Sequence, residues 1–133
     1  MADEFTVQFT IDLTDTGLED EELNRLTVTL LQQMKDSDEF EKVNRVAVED
    51  EDMPKGAKSL GGFLLGILTA EVNAKNTKAA LSWLRDRLGR KPLKLGVKKP
   101  NGTEINLEAS RREDVELLIQ KAQEFLKDTE DTK

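Results

Sequence analysis

The chain has 133 residues, no Cys, no His and no Tyr, and its net charge at pH 7 is −7. This length predicts one domain, residues 1–133, with frayed tails at 1–4 and 128–133. The composition excludes a disulfide framework and every site that needs a thiolate or an imidazole, so we expect no transition metal and no cofactor. The negative net charge argues against a phosphate backbone as the main partner.

Charge is unevenly distributed along the chain. Residues 1–52 carry a net charge of −12, residues 53–103 carry +9 and residues 104–133 carry −4. Either the middle block neutralises the first block in the folded domain, or it forms a basic surface that steers an acidic partner. The chain starts without a basic and apolar leader, and its longest apolar stretch is too short to cross a bilayer, so we expect a cytoplasmic protein with no membrane span.

The first half of the chain predicts a strand, a helix and a second strand. Apolar and polar residues alternate strictly over 5–13, which indicates a strand with one buried face. Thr16 and Glu19 have the spacing of a capping box, which predicts a helix over 17–35. A β-branched run over 43–48 predicts the second strand, joined to the first by a parallel right-handed crossover. The acidic run 49–52 lacks the spacing of a calcium loop, so a solvated loop is preferred to a metal site.

The segment 59–88 carries apolar and small residues at steps of three and four, which predicts one long helix or two helices with a break at 73–76. Gly62 and Gly66 lie four residues apart on this helix, where each glycine costs about 1 kcal/mol relative to alanine. We interpret them as points of close helix contact. The contact is with the sheet, with a second subunit or partner, or with a membrane surface.

The last third predicts a hairpin and a helix. Alternation over 93–97 and 105–109, with Pro100 and Gly102 between, indicates a hairpin with a type I turn and a bulge. Ser110 and Glu113 form a second capping box before an amphipathic helix. The element order is therefore β-α-β-α-β-β-α. Because three of the strands have a polar face, we predict an α+β two-layer sandwich, with a four-stranded mixed sheet and helices on one face.

Catalytic motifs are missing from this sequence. No serine has a Ser-x-x-Lys or Gly-x-Ser-x-Gly context, and no glycine spacing matches a phosphate-binding loop, so we expect a protein that is not an enzyme. Seven cations fall within 85–99. Nucleic-acid binding is the less favoured interpretation, because no aromatic residue accompanies these cations except Trp83, which fits the apolar end of the helix. The predicted interaction surface comprises Gly62, Gly66, Arg85, Arg87, Arg90, Lys94 and Lys98.

Several pieces of the sequence occur in an order that resembles a known family. They are the glycine-rich stretch 59–70, the run Leu81-Ser82-Trp83-Leu84-Arg85-Asp86-Arg87, the turn Lys99-Pro100-Asn101-Gly102-Thr103, Ile105-Asn106-Leu107 and Asp114-Val115-Glu116-Leu117-Leu118. Over about residues 40–126, the chain resembles the bacterial effector-associated constant component family, first type. The resemblance implies a non-catalytic component of bacterial conflict or signalling systems that couples a sensor or NTPase module to an effector.

Two functional interpretations follow from the sequence. The preferred one is a protein-interaction or adaptor module whose partner is an effector or sensor protein, with self-association through the glycine-rich helix as a further expectation. The alternative is a small-ligand-binding domain or an enzyme that uses carboxylates and lysines in a pocket without a known motif. An enzyme needs convergent titrating groups in a cleft, which distinguishes the two.

Overall fold

The computed structural model describes residues 6–47, 59–60, 62–88, 92–109 and 112–131. Their elements, in chain order, are β1 (Thr6–Asp12), α1 (Asp20–Lys35), β2 (Lys42–Ala47), β3 (Ser59–Leu60), β4 (Phe63–Asn73), α2 (Thr77–Leu88), β5 (Leu93–Lys98), β6 (Glu104–Ala109) and α3 (Arg112–Asp131). Short 3-10 turns at Thr14–Thr16 and Ala74–Asn76 precede α1 and α2. The predicted acidic loop 49–52, Arg90 and the capping residue Ser110 lie outside the described residues.

The strands form one sheet in the order β2-β4-β1-β5-β6, and each neighbouring pair is antiparallel. The two-residue strand β3 pairs with the start of β4. Strands β1 and β2 run parallel to each other, as predicted, but β4 lies between them; β4 and β5 are likewise separated by β1. These are two interleaved split β-α-β units, the connectivity of the ferredoxin-like arrangement, extended by β6 and α3.

The α+β class is confirmed, whereas the predicted sheet differs in detail. The four-stranded mixed sheet was wrong, because β4 adds a strand and all neighbouring pairs of the described sheet are antiparallel. One sheet face is apolar and forms a single core with the apolar sides of all three helices. Its fully buried members include Phe9, Ile11, Leu68, Leu84, Leu95 and Leu126. The opposite face is polar, which gives the molecule two layers.

The long helix predicted over 59–88 is wrong up to residue 76. Leu68, Ala70 and Val72 follow the two-residue period of a strand and lie in the core. Leu65 also reaches the core, three residues before Leu68, because Gly66 between them has a φ of +83° and the register with β2 shifts here. The spacing that predicted a helix runs instead through Phe63, Ile67 and Ala70, of which only Ala70 belongs to the core, so it does not mark one buried face. The predicted break at 73–76 is a real boundary, but it separates β4 from α2.

Two local predictions have opposite outcomes. The hairpin is confirmed: the Gly102 N–H donates to the carbonyl of Lys99 at 2.9 Å, the Lys99 N–H donates to the carbonyl of Thr103 at 2.8 Å, and Gly102 has a φ of +93°. The capping box before α1 is wrong. Gly17 has a left-handed φ of +79°, which ends a 3-10 turn, and α1 begins only at Asp20, with no side-chain hydrogen bond from Glu19 at its N-cap.

None of the helices in the described ranges is long and apolar enough to cross a membrane.

Candidate functional site

The polar face of the sheet is organised in rows that run across the strands. Cross-strand neighbours share a face, so the register defines three rows from β2 towards β6. The first is Lys42, Glu71, Gln8, Lys98 and Glu104; the middle is Asn44, Thr69, Thr10, Gly96 and Asn106; the third is Ile67, Asp12, Lys94 and Glu108. The outer rows contain charges of alternating sign, whereas the middle row is neutral and short-chained. None of these residues is buried.

A cleft of about 280 Å³ opens on this face above Gly96. Its polar walls come from Thr10, Asp12, Lys94, Asn106 and Glu108. The cleft depends on the missing side chain at position 96, because a Cβ there would lie 2.9 Å from Asn106 Oδ1 and 3.5 Å from the Thr10 Cβ. Its volume is just below the range of roughly 300–1,000 Å³ that is usual for small-ligand pockets.

The ammonium group of Lys94 in the cleft pairs with a carboxylate. Lys94 Nζ lies 3.3 Å from Asp15 Oδ2. The hydrogen bond and charge of Asp15, with smaller contributions from Asp12 and Glu108, raise the pKa of Lys94 above its ordinary value of 10.5. Asp12 is itself fixed, because its Oδ1 accepts hydrogen bonds from the Thr14 N–H at 2.9 Å and the Thr14 hydroxyl at 2.6 Å. Lys94 is therefore held as a cation, which suits an electrostatic role rather than that of a base or nucleophile.

We expect Asp15→Asn to lower the pKa of the Lys94 ammonium, because Asp15 is the main cause of its upward shift. NMR titration of the lysine side chain measures this directly. A folded-state pKa above 10.5 stabilises the fold at lower pH, and this stabilisation is lost as the pH rises through the folded pKa. The stability difference between the parent and Asp15→Asn should therefore shrink above pH 10.5. Asp86→Asn, which removes the partner of Arg85 on α2, is the control and should leave the pKa of Lys94 unchanged. An unchanged Lys94 pKa in Asp15→Asn would contradict the view that Asp15 causes the upward shift.

The residues of the predicted interaction surface do not form one patch. Lys94 and Lys98 lie on the polar sheet face. Arg85 and Arg87 lie on α2, in the layer on the other side of the sheet, where Arg85 Nε is 3.5 Å from Asp86 and the Arg87 guanidinium is 4.9 Å from the centre of the Trp83 ring. The clustering of these cations in the sequence was therefore misleading. Helix α2 packs on one face of the sheet, whereas the lysines of β5 are exposed on the other face, so the basic segment is divided between two surfaces.

Gly62 and Gly66 are not on a helix. Gly62 precedes β4 with a φ of +86°, and Gly66 lies within β4. A Cβ at Gly66 would be 3.1 Å from Leu23 Cδ2 of α1, so a close approach does occur, but between a strand and a helix of the same chain. The expected self-association through a glycine-rich helix therefore loses its structural basis.

Sequence reasoning missed most of the cleft. Lys94 belongs to the predicted interaction surface, but the prediction does not connect Thr10, Asp12, Asn106 and Glu108 with it. The available signal was the alternation of three strands with polar faces. The predicted hairpin makes two of these strands neighbours, but nothing local indicates that β1 lies beside β5. Within the described ranges, no group of three or more carboxylates is placed to hold a metal ion.

Comparison of the chain with family models, curated proteins and solved structures finds no match. The resemblance to the effector-associated constant component family therefore stays a prediction.

Proposed function

We propose that this chain is a non-catalytic protein-interaction module that docks a partner on the polar face of its sheet, around Gly96. One observation carries the proposal: the described sheet is covered by helices on one face only, and its other face carries ordered rows of polar side chains around a cleft. The family resemblance supports the more specific role of an adaptor in a bacterial conflict or signalling system, with an effector or sensor protein as partner.

The electrostatics of the cleft support binding rather than chemistry. Asp15 holds Lys94 as an ammonium by raising its pKa, which is opposite to the downward shift that activates a lysine for covalent or base catalysis. Charges of both signs alternate across the face. Such a face suits a partner with complementary polar groups and does not present the uniform positive potential that favours a phosphate backbone.

The test begins with capture of a partner from the native host and continues with the two purified proteins, whose affinity is measured by calorimetry. Gly96→Gln fills the cleft and should weaken the complex about tenfold or more, because it places a side chain at the centre of the contact. Lys78→Gln, at an exposed position of α2, is the control and should bind like the parent. Equal affinities of all three proteins would contradict docking on this face.

The cleft itself favours a second candidate, a binding site for a small molecule. Its lining brings a lysine and carboxylates together, the residue types that the alternative interpretation of the sequence uses. Its prevailing negative charge would suit a small cation or zwitterion. Saturable binding of such a compound to the purified protein, lost in Gly96→Gln and unaccompanied by any protein partner, would decide for this candidate.

A further inference from the structure

We propose that the free edge of β6 is a strand-addition site for an extended basic segment of a partner protein. This inference rests on the proposed function and specifies the chemistry of the partner. Strand β6 is the last in the sheet order, and no other strand of the described residues pairs with its outer side.

The backbone of β6 presents unpaired hydrogen-bonding groups at this edge. The hairpin bond between Lys99 and Thr103 sets the phase of the ladder, so Ile105 and Leu107 exchange hydrogen bonds with β5. The intervening residues Glu104, Asn106 and Glu108 therefore direct their N–H and C=O groups away from the sheet. An extended segment can use these groups for main-chain hydrogen bonds, as peptides do when they add a strand to an exposed edge.

The side chains of the same three residues determine which segment fits. The first row of the polar face ends in Lys98 and Glu104, and the third row ends in Lys94 and Glu108. Lys94 is already paired with Asp15, and neither glutamate forms an ion pair with another described residue. A new strand with cations opposite Glu104 and Glu108 continues the alternation of charge in both rows.

The other face of β6 selects apolar residues at the positions between. Ile105 and Leu107 are only half-buried, although they pack against the core. Helix α3 packs against β6 and carries Leu117, whose surface is 49% exposed. The segment that fits this edge is therefore amphipathic, with the pattern cation, apolar, polar, apolar, cation.

Charge also argues against a second copy as the occupant. Antiparallel pairing of two β6 strands centred on Asn106 would place Glu104 of each copy opposite Glu108 of the other, and like charges directly opposite are destabilising. The other edge strand, β2, offers one lysine, Lys42, on the polar face, so it satisfies one of the two carboxylates. A different protein with two suitably spaced cations matches better.

The first test uses a fluorescent peptide with the core Lys-Val-Asn-Val-Lys and the intact protein, with binding followed by anisotropy. The double variant Glu104→Lys with Glu108→Lys should weaken binding about tenfold or more, and it should bind the peptide Glu-Val-Asn-Val-Glu instead. Lys42→Glu, a charge reversal at the opposite edge of the sheet, is the matched control and should behave like the parent. Absence of binding to the parent, or binding that ignores the reversed charges, would overturn the proposal.

The second test separates strand addition from simple charge attraction. Asn106→Pro removes an N–H that points outward and makes no ladder bond to β5, so it blocks strand addition while leaving the sheet paired. Asn106→Ala removes the same side chain but keeps the N–H. We expect peptide binding to be lost in the proline variant and retained in the alanine variant, with circular dichroism showing both folded. If the proline variant unfolds, the peptide can be changed instead. Replacing the asparagine of the peptide core by N-methyl-alanine removes the peptide N–H from one of the same main-chain hydrogen bonds, and it should abolish binding to the parent protein. Equal binding in these paired comparisons would contradict strand addition.

The two proposals fail in distinguishable ways. If the captured partner is weakened by Gly96→Gln but not by reversal of Glu104 and Glu108, the polar face is the docking surface and strand addition is wrong. If the edge variants weaken the complex and Gly96→Gln does not, the partner binds at the edge and the cleft is not part of the contact.

Discussion

Leu68→Ala should lower the free energy of unfolding by about 2–5 kcal/mol, the largest effect we expect from one substitution. Leu68 is fully buried in β4 at the centre of the core. Truncation removes its apolar contacts and leaves a cavity that the neighbouring strands can close only in part. The adjacent Ile67 lies on the polar face and is only half-buried, so Ile67→Ala should cost about 1 kcal/mol.

This pair of variants tests the strand assignment itself, because neighbouring residues of a strand point to opposite faces. Urea unfolding followed by the fluorescence of Trp83 gives both free energies. That ring is half-buried and packs edge-to-face against Phe40 at 5.3 Å between centres, so its emission responds to loss of the core. Equal losses in Leu68→Ala and Ile67→Ala would contradict the alternation of β4.

Gly66→Ala is the second substitution with a large expected effect, a loss of about 2–4 kcal/mol. The backbone at Gly66 has a φ of +83°, which strains any residue with a Cβ. In addition, the new methyl group would lie 3.1 Å from Leu23 Cδ2 and 3.3 Å from two further atoms of that side chain, so the Leu23 side chain must move by a few tenths of an ångström. Strain and crowding therefore act together at this position.

Gly17→Ala is the control that separates the two causes. Gly17 has a nearly equal φ of +79°, but a Cβ at this position would have no neighbouring atom within 4 Å. It should therefore lose only the backbone term, about 1–2 kcal/mol. Thermal unfolding of dilute protein measures both variants. Introducing Gly66→Ala into a Leu23→Ala background should recover the crowding part of the loss. If Gly66→Ala costs no more than Gly17→Ala, the contact with Leu23 is not a constraint.

The position of Gly66 also corrects an interpretation drawn from sequence. A glycine in an apolar run predicts a close contact of a helix with the sheet, with a second subunit or partner, or with a membrane surface. The contact is internal, with Leu23 of α1, and the glycine is needed both for its positive φ and for the space that it leaves to Leu23. A sequence pattern indicates that a position must be small, but the reason for it depends on the backbone conformation there.

Local patterns determined those elements whose environment is simple. Strand β1 has one buried and one polar face, so its strict alternation was visible and its bounds were nearly correct. The hairpin at 99–103 is specified by Pro100 and Gly102, whose backbone preferences are intrinsic to those residues. Helix α2 and helix α3 have single apolar sides, which the helical period reveals. In each case the information lies within a few neighbouring residues.

Only the tertiary structure decided the character of β4 and the site. Strand β4 lies between β1 and β2 and contains an irregularity at Gly66, so packing overrides a spacing that favours a helix. The cleft above Gly96 needs Thr10, Lys94 and Asn106 to be neighbours, and these residues are far apart in the chain. The local hairpin brings Asn106 beside β5, but the position of Thr10 beside Gly96 follows from the pairing of β1 with β5. That pairing is set by long-range burial of the apolar sheet face rather than by local preference.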